Sequence, residues 1–337
     1  MYSMKRTIDS YNDFNLRGKV VVITGASSGV GRAAAVEFAG HRAMLVLAAR
    51  RIDALNDLVT ECEQSGAKAI AIQTDVTDAH AVIQLAAAAN DFGGRIDVWI
   101  NNAGVMAAGG FTDTPVEVHD QVIKINLMGY IHGAHAVMPY FKKQRSGILI
   151  NNISIGGFFP TPYAVGYAAS KFGLRGFSEA LKGELHAWPD IYVCDLYPAF
   201  LDTPGIQHAA NYTGKILKPA PPVYDPKKVG RAMVRIALHP RKSLTVGGVA
   251  YLLRLGYFLV PGLMRFVTAK VMETYFSQAE PTPATSGNVF APLDFGTNVH
   301  GGWSMTPQVK KKSINTGLLL GGLAASFLLI RQWRKTR

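Results

Sequence analysis

Tyr167 and Lys171 stand four residues apart in a stretch, residues 166–186, whose apolar side chains recur at three- and four-residue spacing, so both fall on one face of a predicted helix. A phenol beside an ammonium is a proton-transfer pair. An unperturbed phenol titrates at about pH 10 and is a poor donor or base at neutrality, but a cation one turn away favours the phenolate and draws its pKa down. Thirteen residues before the tyrosine, at the end of a β-branched run, comes Ser154, whose hydroxyl suits a substrate oxygen on which negative charge is building. Such a trio fits proton exchange at an oxygen while a hydride moves at the attached carbon, which interconverts a carbonyl and an alcohol. Singly, each residue also has an ordinary reading: a surface pair on an amphipathic helix, and a serine capping a helix.

The elements that must position these residues are legible upstream. From Lys19 to about His239 short β-branched runs alternate with amphipathic stretches, the pattern of βαβ units and so of an α/β fold with a doubly wound parallel sheet. Strands are predicted at 20–24, 44–48, 69–74, 98–101, 147–153 and 192–197, with helices at 32–39, 52–64, 79–91, 115–143, 166–186 and 226–238. The first strand runs into Gly25, Ala26, Ser27, Ser28, Gly29, Val30 and Gly31 and then a helix. Glycines there permit a tight turn and close approach to a pyrophosphate, which the free N–H groups and dipole of the helix start stabilise, with Thr24 and Ser28 as added hydroxyl donors. An ordinary strand-to-helix turn is the alternative. The second strand ends at Ala48, Ala49, Arg50 and Arg51, with no carboxylate for ribose hydroxyls. Guanidinium groups in that place suit a 2′-phosphate, so Arg50, helped by Arg51, points to NADP(H) in preference to NAD(H). After the third strand, Asp75 and Val76 follow Thr74, and the carboxylate either meets the adenine edge or caps the next helix.

Together these residues resemble the classical short-chain dehydrogenases/reductases, a family with a Rossmann fold. The resemblance covers roughly residues 17–240. It rests on the run from Thr24 to Gly31, on Asn101, Asn102, Ala103 and Gly104 after the fourth strand, on Asn126 and Ser154, and on Tyr167 with Lys171. It implies Tyr167 as general acid/base, Lys171 also gripping the nicotinamide ribose, and Asn126 orienting a water that links the lysine to solvent. By the same resemblance Ser27, Asn102, Ala103, Gly104, Pro198 and Thr203 line the cofactor, and the protein is a homo-oligomer through the helices after Asn102 and around Tyr167. One departure stands out. Where the family has Pro-Gly after the sixth strand, this chain has Pro198 and Ala199, so a Cβ is expected to disturb the backbone that brings Thr203 to the nicotinamide carboxamide.

Length and composition bound the rest. The 337 residues are 48% hydrophobic, ample for a packed core. Cys62 and Cys194 lack disulfide or metal-ligand spacing, and no metal site is expected. The net charge of +12 sits in clusters without aromatic interleaving, which argues against nucleic acid. Residues 1–18 lack an apolar signal-peptide core, which places the catalytic portion in the cytoplasm. Residues 251–276 are strongly apolar, broken near Pro261, and read as core, lid or membrane-surface element; 277–312 reads as a linker or irregular wrap. Residues 317–330 are uncharged and lie between Lys310–Lys312 and a basic end containing Trp333. Extended back to Ser313 the run gives about 18 residues, roughly 27 Å of helix, at the short end of a membrane span; a buried terminal helix is the alternative. The expected organisation is an arm (1–16), a catalytic domain (17–248), a helical extension and linker (249–312), a membrane helix (313–331) and a basic tail (332–337). The expected activity is NADP(H)-dependent carbonyl/alcohol interconversion on a lipophilic small molecule near a membrane. A non-catalytic NADP(H)-binding sensor or scaffold at a membrane is the alternative.

Overall fold

Val20–Thr24 (β1) reads VVVIT and every residue of it is buried, as a strand covered on both faces must be. In a computed structural model, which describes residues 16–303, this strand lies in the interior of the main sheet. The predicted arm apart from Leu16, the end of the predicted linker (304–312), the apolar segment 313–331 and the tail 332–337 lie outside the described residues. After β1 the chain alternates α1 (Gly29–Gly40), β2 (Met44–Ala49), α2 (Ile52–Gln64), β3 (Lys68–Gln73), α3 (Ala79–Gly93) and β4 (Val98–Asn101). There follow β5 (Ala107–Ala108), α4 (Val116–Ile123), α5 (Gly129–Gln144), β6 (Gly147–Asn152), α6 (Val165–Glu184) and β7 (Ile191–Pro198). Then come β8 (Ala210–Asn211), α7 (Lys227–Leu238), β9 (Ser243–Val246), α8 (Gly248–Leu259) and α9 (Pro261–Gln278).

Seven strands form one parallel sheet in the order β3-β2-β1-β4-β6-β7-β9, a doubly wound Rossmann-type arrangement, while β5 and β8 pair separately. The predicted helix over 115–143 is divided by a π-helical turn, Lys124–Met128, between α4 and α5. One face of the sheet is covered by α1, α2 and α7 through residues such as Phe38, Leu55 and Met233; the other by α3, α4 and α5 through Leu85, Val122 and Phe141. Because the strand order turns back between β1 and β4, the loops after those two strands part and leave a crevice at their carboxyl ends.

The apolar stretch predicted over 251–276 folds as α8 and α9, with Pro261 at the first position of α9, where its missing N–H costs no hydrogen bond. Arg254 of α8 stacks 3.9 Å from the centre of the Phe158 ring and Tyr257 meets Phe159 edge-on, fixing the helix beside the loop after β6. Outward, Leu252, Leu255, Phe258, Leu259 and Phe266 stay exposed. Among the described residues no helix is long and apolar enough to cross a membrane.

Candidate active site

The turn after β1 is built by close backbone approach. Gly25 has φ +65°, and a Cβ there would lie 2.6 Å from the Ala103 Cα; a Cβ on Gly31 would lie 2.2 Å from the Gly25 carbonyl oxygen. Thr24, expected to offer a phosphate its hydroxyl, instead donates it to the Ile100 carbonyl and accepts from the N–H groups of Asn102 and Ala103. Its position between β1 and β4 explains this: the hydroxyl ties the two loops at the crevice. Asn102 completes the tie, its Nδ2 donating to the carbonyls of Thr24 and Gly25. Ser28 is the N-cap of α1 but its side chain makes no capping bond, so no side chain of the cap covers the first turn. The Gly29 N–H donates to the carbonyl of Asn298, 3.0 Å away, in the segment after α9.

That segment, residues 281–303, is the wrap, and it also occupies the end of β2. Arg50 donates to the carbonyls of Asn288 and Phe290, and Arg51 to those of Leu293 and Phe295. Burial lowers the pKa of both guanidinium groups, Asp75 opposing this at Arg50 and Asp294 at Arg51. Asp75 holds its own loop through Oδ1, which accepts from the Thr77 N–H and hydroxyl, while the cap of α3 is Asp78. Val76 packs under Gly129, where a Cβ would meet its Cγ2 at 2.7 Å.

Ser154 takes φ +96°, a backbone region that L residues rarely adopt, two residues after β6 ends. Strain of this kind persists where surrounding structure enforces it, and here it turns the serine toward Tyr167. The Ser154 Oγ accepts from the Gly156 N–H at 3.2 Å and hydrogen-bonds the tyrosine side chain. The Lys171 Nζ sits 5.6 Å from the centre of the Tyr167 ring and 5.2 Å from that of Tyr130. The sequence expectation of a depressed phenol pKa is corrected here. Burial raises Tyr167, an effect the Ser154 hydrogen bond only offsets in part, and burial lowers Lys171 to about 7. Spacing put the cation beside the phenol, but Lys171 is buried and Tyr167 half-buried, and loss of surrounding water favours the neutral form of each.

Asn126 lies in the π-helical turn, a feature often found at functional sites. Its Oδ1 accepts from the Val105 N–H and its Nδ2 donates to the Val105 carbonyl and Ser170 Oγ. It thus pins the loop after β4 to α6 without lining the cavity. The disturbance expected at Ala199 is absorbed: Gly247, at φ +102°, faces it, and a Cβ on Gly247 would come within 2.8 Å of the Ala199 Cβ. Thr203 still reaches the cleft, 3.3 Å from where a Cβ on Gly29 would be.

One cavity of about 610 Å³ joins these parts. Its walls include Gly25, Ser27, Ser28, Gly29, Val30, Arg50, Arg51, Asp75, Val76, Asn102, Ala103, Gly104, Ser154, Tyr167, Lys171, Pro198 and Thr203. Thr24, Gly31 and Asn126 stand behind the wall. Sequence reasoning missed Asn152, Asn288, Leu293 and the α9 residues Val271, Met272 and Tyr275, which also line it. Helical spacing flagged the α9 residues as apolar, but nothing in the sequence pointed to the wrap residues.

A model of short chain dehydrogenases matches residues 19–212. The chain belongs to the short-chain dehydrogenase family. Among its relatives, the uncharacterized oxidoreductase YxnA of Bacillus subtilis is 32% identical over 324 residues, covering 92% of this chain and 90% of that protein, so the likeness extends well beyond the family core. An uncharacterized oxidoreductase of Staphylococcus saprophyticus is 40% identical over 50% of this chain and 68% of its own length. Among solved structures, a short-chain dehydrogenase from Streptomyces avermitilis has a TM-score of 0.65 at 28% identity, covering 76% of this chain and 98% of that one. An alcohol dehydrogenase from the archaeon Thermococcus sibiricus, complexed with 5-hydroxy-NADP, has a TM-score of 0.60 at 26% identity, over 69% and 97%. As a short-chain dehydrogenase the protein is an oxidoreductase that takes a nicotinamide cofactor and a small-molecule substrate. Its residues fit such a cofactor. The glycine turn admits no Cβ at Gly25 or Gly31, and buried side-chain oxygens of two cavity-wall residues, Asn152 and Asn288, have no partner among the described residues.

Proposed function

We propose that this dehydrogenase interconverts a carbonyl and an alcohol on a lipophilic substrate, using NADP(H), with Tyr167 as general acid/base. The observation that carries the reading is the convergence of Ser154, Tyr167 and Lys171 on the cavity that the glycine turn also lines. The nicotinamide, when bound, supplies or accepts the hydride. In the direction of reduction, the Ser154 hydroxyl donates to the substrate oxygen and Tyr167 gives its phenolic proton to it as negative charge develops. The phenolate left behind draws a proton onto Lys171, whose ammonium then stabilises it, and a proton from solvent restores the phenol. Lys171 is also the residue that would hold the nicotinamide ribose. Asn126 acts through position, keeping the Val105 loop and α6 in register.

The preference for NADP(H) is supported by Arg50 and Arg51 at the adenosine end and by the absence of a carboxylate where β2 ends. A lipophilic substrate is supported by the apolar residues of the cavity wall, among them Leu217, Pro219, Val271 and Met272. The exposed apolar side of α8 and α9 and the uncharged run 317–330 support association with a lipid surface. The test is purified protein with NADPH and a panel of hydrophobic ketones and aldehydes. Turnover is expected, and Tyr167→Phe should lower kcat by about 10²- to 10⁴-fold with NADPH affinity retained. NADPH binding without turnover on any member of the panel would replace this reading with that of a sensor.

A further inference from the structure

The wrap is fastened to the protein around one residue. Val289 is fully buried and belongs to the core cluster that also holds residues of α3, α4 and α5, and Gly287, at φ +52°, lies so close that a Cβ would come within 2.3 Å of the His208 carbonyl oxygen. Asn288 stands between them with both backbone groups fixed: its N–H donates to the His208 carbonyl at 2.9 Å, and its own carbonyl accepts from Arg50 Nη2 at 2.6 Å. The residue is part of the wall of the cavity that Arg50 and Asp75 also line. Its side-chain Oδ1 is buried and, among the described residues, has no hydrogen-bond partner. A buried carbonyl oxygen without a donor is destabilising, and native structures retain few. A bound ligand that brings an N–H or O–H removes the penalty.

We propose that Asn288 is an adenosine-recognition residue, its Oδ1 accepting a hydrogen bond from the nucleoside part of the cofactor, and that residues 281–303 form the outer wall of the cofactor site. The inference rests on the reading of this cavity as an NADP(H) site. The chemistry selects the partner. A phosphate oxygen is itself an acceptor and cannot satisfy Oδ1, whereas the 6-amino group of adenine and the ribose hydroxyls are donors. Arg50, held by the Asn288 carbonyl, supplies the complementary cation for phosphate, so the wrap places a nucleoside reader and a phosphate reader side by side. The fixed backbone at 287–289 makes the contact one of rigid geometry, set by burial of Val289.

The test is calorimetric titration of the full-length protein and its Asn288→Ala and Asn288→Leu variants with NADPH, 2′,5′-ADP and reduced nicotinamide mononucleotide, with thermal melting in parallel. Both variants should bind NADPH and 2′,5′-ADP roughly threefold to tenfold more weakly, the range a single neutral hydrogen bond spans. Affinity for the mononucleotide should stay unchanged, the melting temperature of the free protein should not fall, since an unpartnered buried oxygen is removed, and both variants should lose 2′,5′-ADP affinity. Unchanged affinity for 2′,5′-ADP in both variants overturns the proposal, as does an equal loss for both fragments accompanied by a lower melting temperature, which marks a structural role. A wild-type protein that binds neither NADPH nor 2′,5′-ADP overturns the cofactor reading itself.

Discussion

Lys171 offers a direct measure of how far the closed site controls protonation. It is 4% exposed and burial lowers its pKa from 10.5 to about 7, so between those values the unfolded chain carries a proton on this lysine that the folded protein does not. Stability without cofactor therefore rises with pH across this window, by up to ~1.4 kcal/mol per pH unit for one proton. Below pH 7 the folded protein bears the full cost of charging a buried amine; above 10.5 the cost is gone. Integrated from pH 7 to pH 9, the rise amounts to about 2 kcal/mol. The neighbouring phenols of Tyr167 and Tyr130 are both raised by burial, so neither supplies a negative charge within that span. The perturbation is Lys171→Met, which keeps the aliphatic stem and removes the titration. Urea unfolding of both proteins at half-unit steps from pH 7 to pH 9, without cofactor, gives the difference in stability, in which every other titrating group cancels. The variant should gain on the wild type as pH falls, its relative stability at pH 7 exceeding that at pH 9 by about 2 kcal/mol. A difference that stays flat across the window would refute the claim that this lysine is held neutral by enclosure.

Two further outcomes follow from contacts elsewhere. Gly31→Ala drives a Cβ against the Gly25 carbonyl at 2.2 Å and the Asn102 amide at 2.7 Å, so the turn must open; stability should drop by about 1–3 kcal/mol, and fluorescence titration should show NADPH binding weakened more than tenfold. Lys182→Met leaves Asp195, which has no exposed surface, without the ammonium 2.6 Å from its Oδ2, and chemical denaturation at pH 7 should register a loss of about 3–5 kcal/mol.

The sheet was readable because interior strands buried on both faces announce themselves as continuous apolar runs, as β1 and β2 do. Ser243–Val246 escaped notice because an edge strand of four residues, none of them fully buried, leaves no such signature. At the site, residue types and spacing grouped Ser154, Tyr167 and Lys171, but spacing does not encode enclosure, and enclosure reverses the expected direction of the Tyr167 shift. The direction of a hydroxyl or amide is equally silent in sequence: Thr24 and Asn126 carry the right atoms and turn them toward Ile100 and Val105. Ala199 looked like a defect because its compensating partner, Gly247, lies 48 residues later and is visible only across β7 and β9. The wrap was least legible of all. Its grip on Arg50 and Arg51 runs through backbone carbonyls, which every residue possesses.

That the outer wall of the cleft comes from residues 281–303 has a consequence for how the protein is made. The last strand of the main sheet ends at Val246, and Trp303, whose indole donates to the Thr203 carbonyl, follows 57 residues later. At ordinary rates of translation, that interval is roughly 3–11 s. During it the nascent chain holds every strand of the sheet and an uncovered groove, with Arg50, Arg51 and the Gly29 N–H still without the carbonyls that later meet them. The cofactor site is thus finished in order of synthesis, floor first and wall last, and a ribosome that stops before the wrap emerges releases a sheet with its groove open to water.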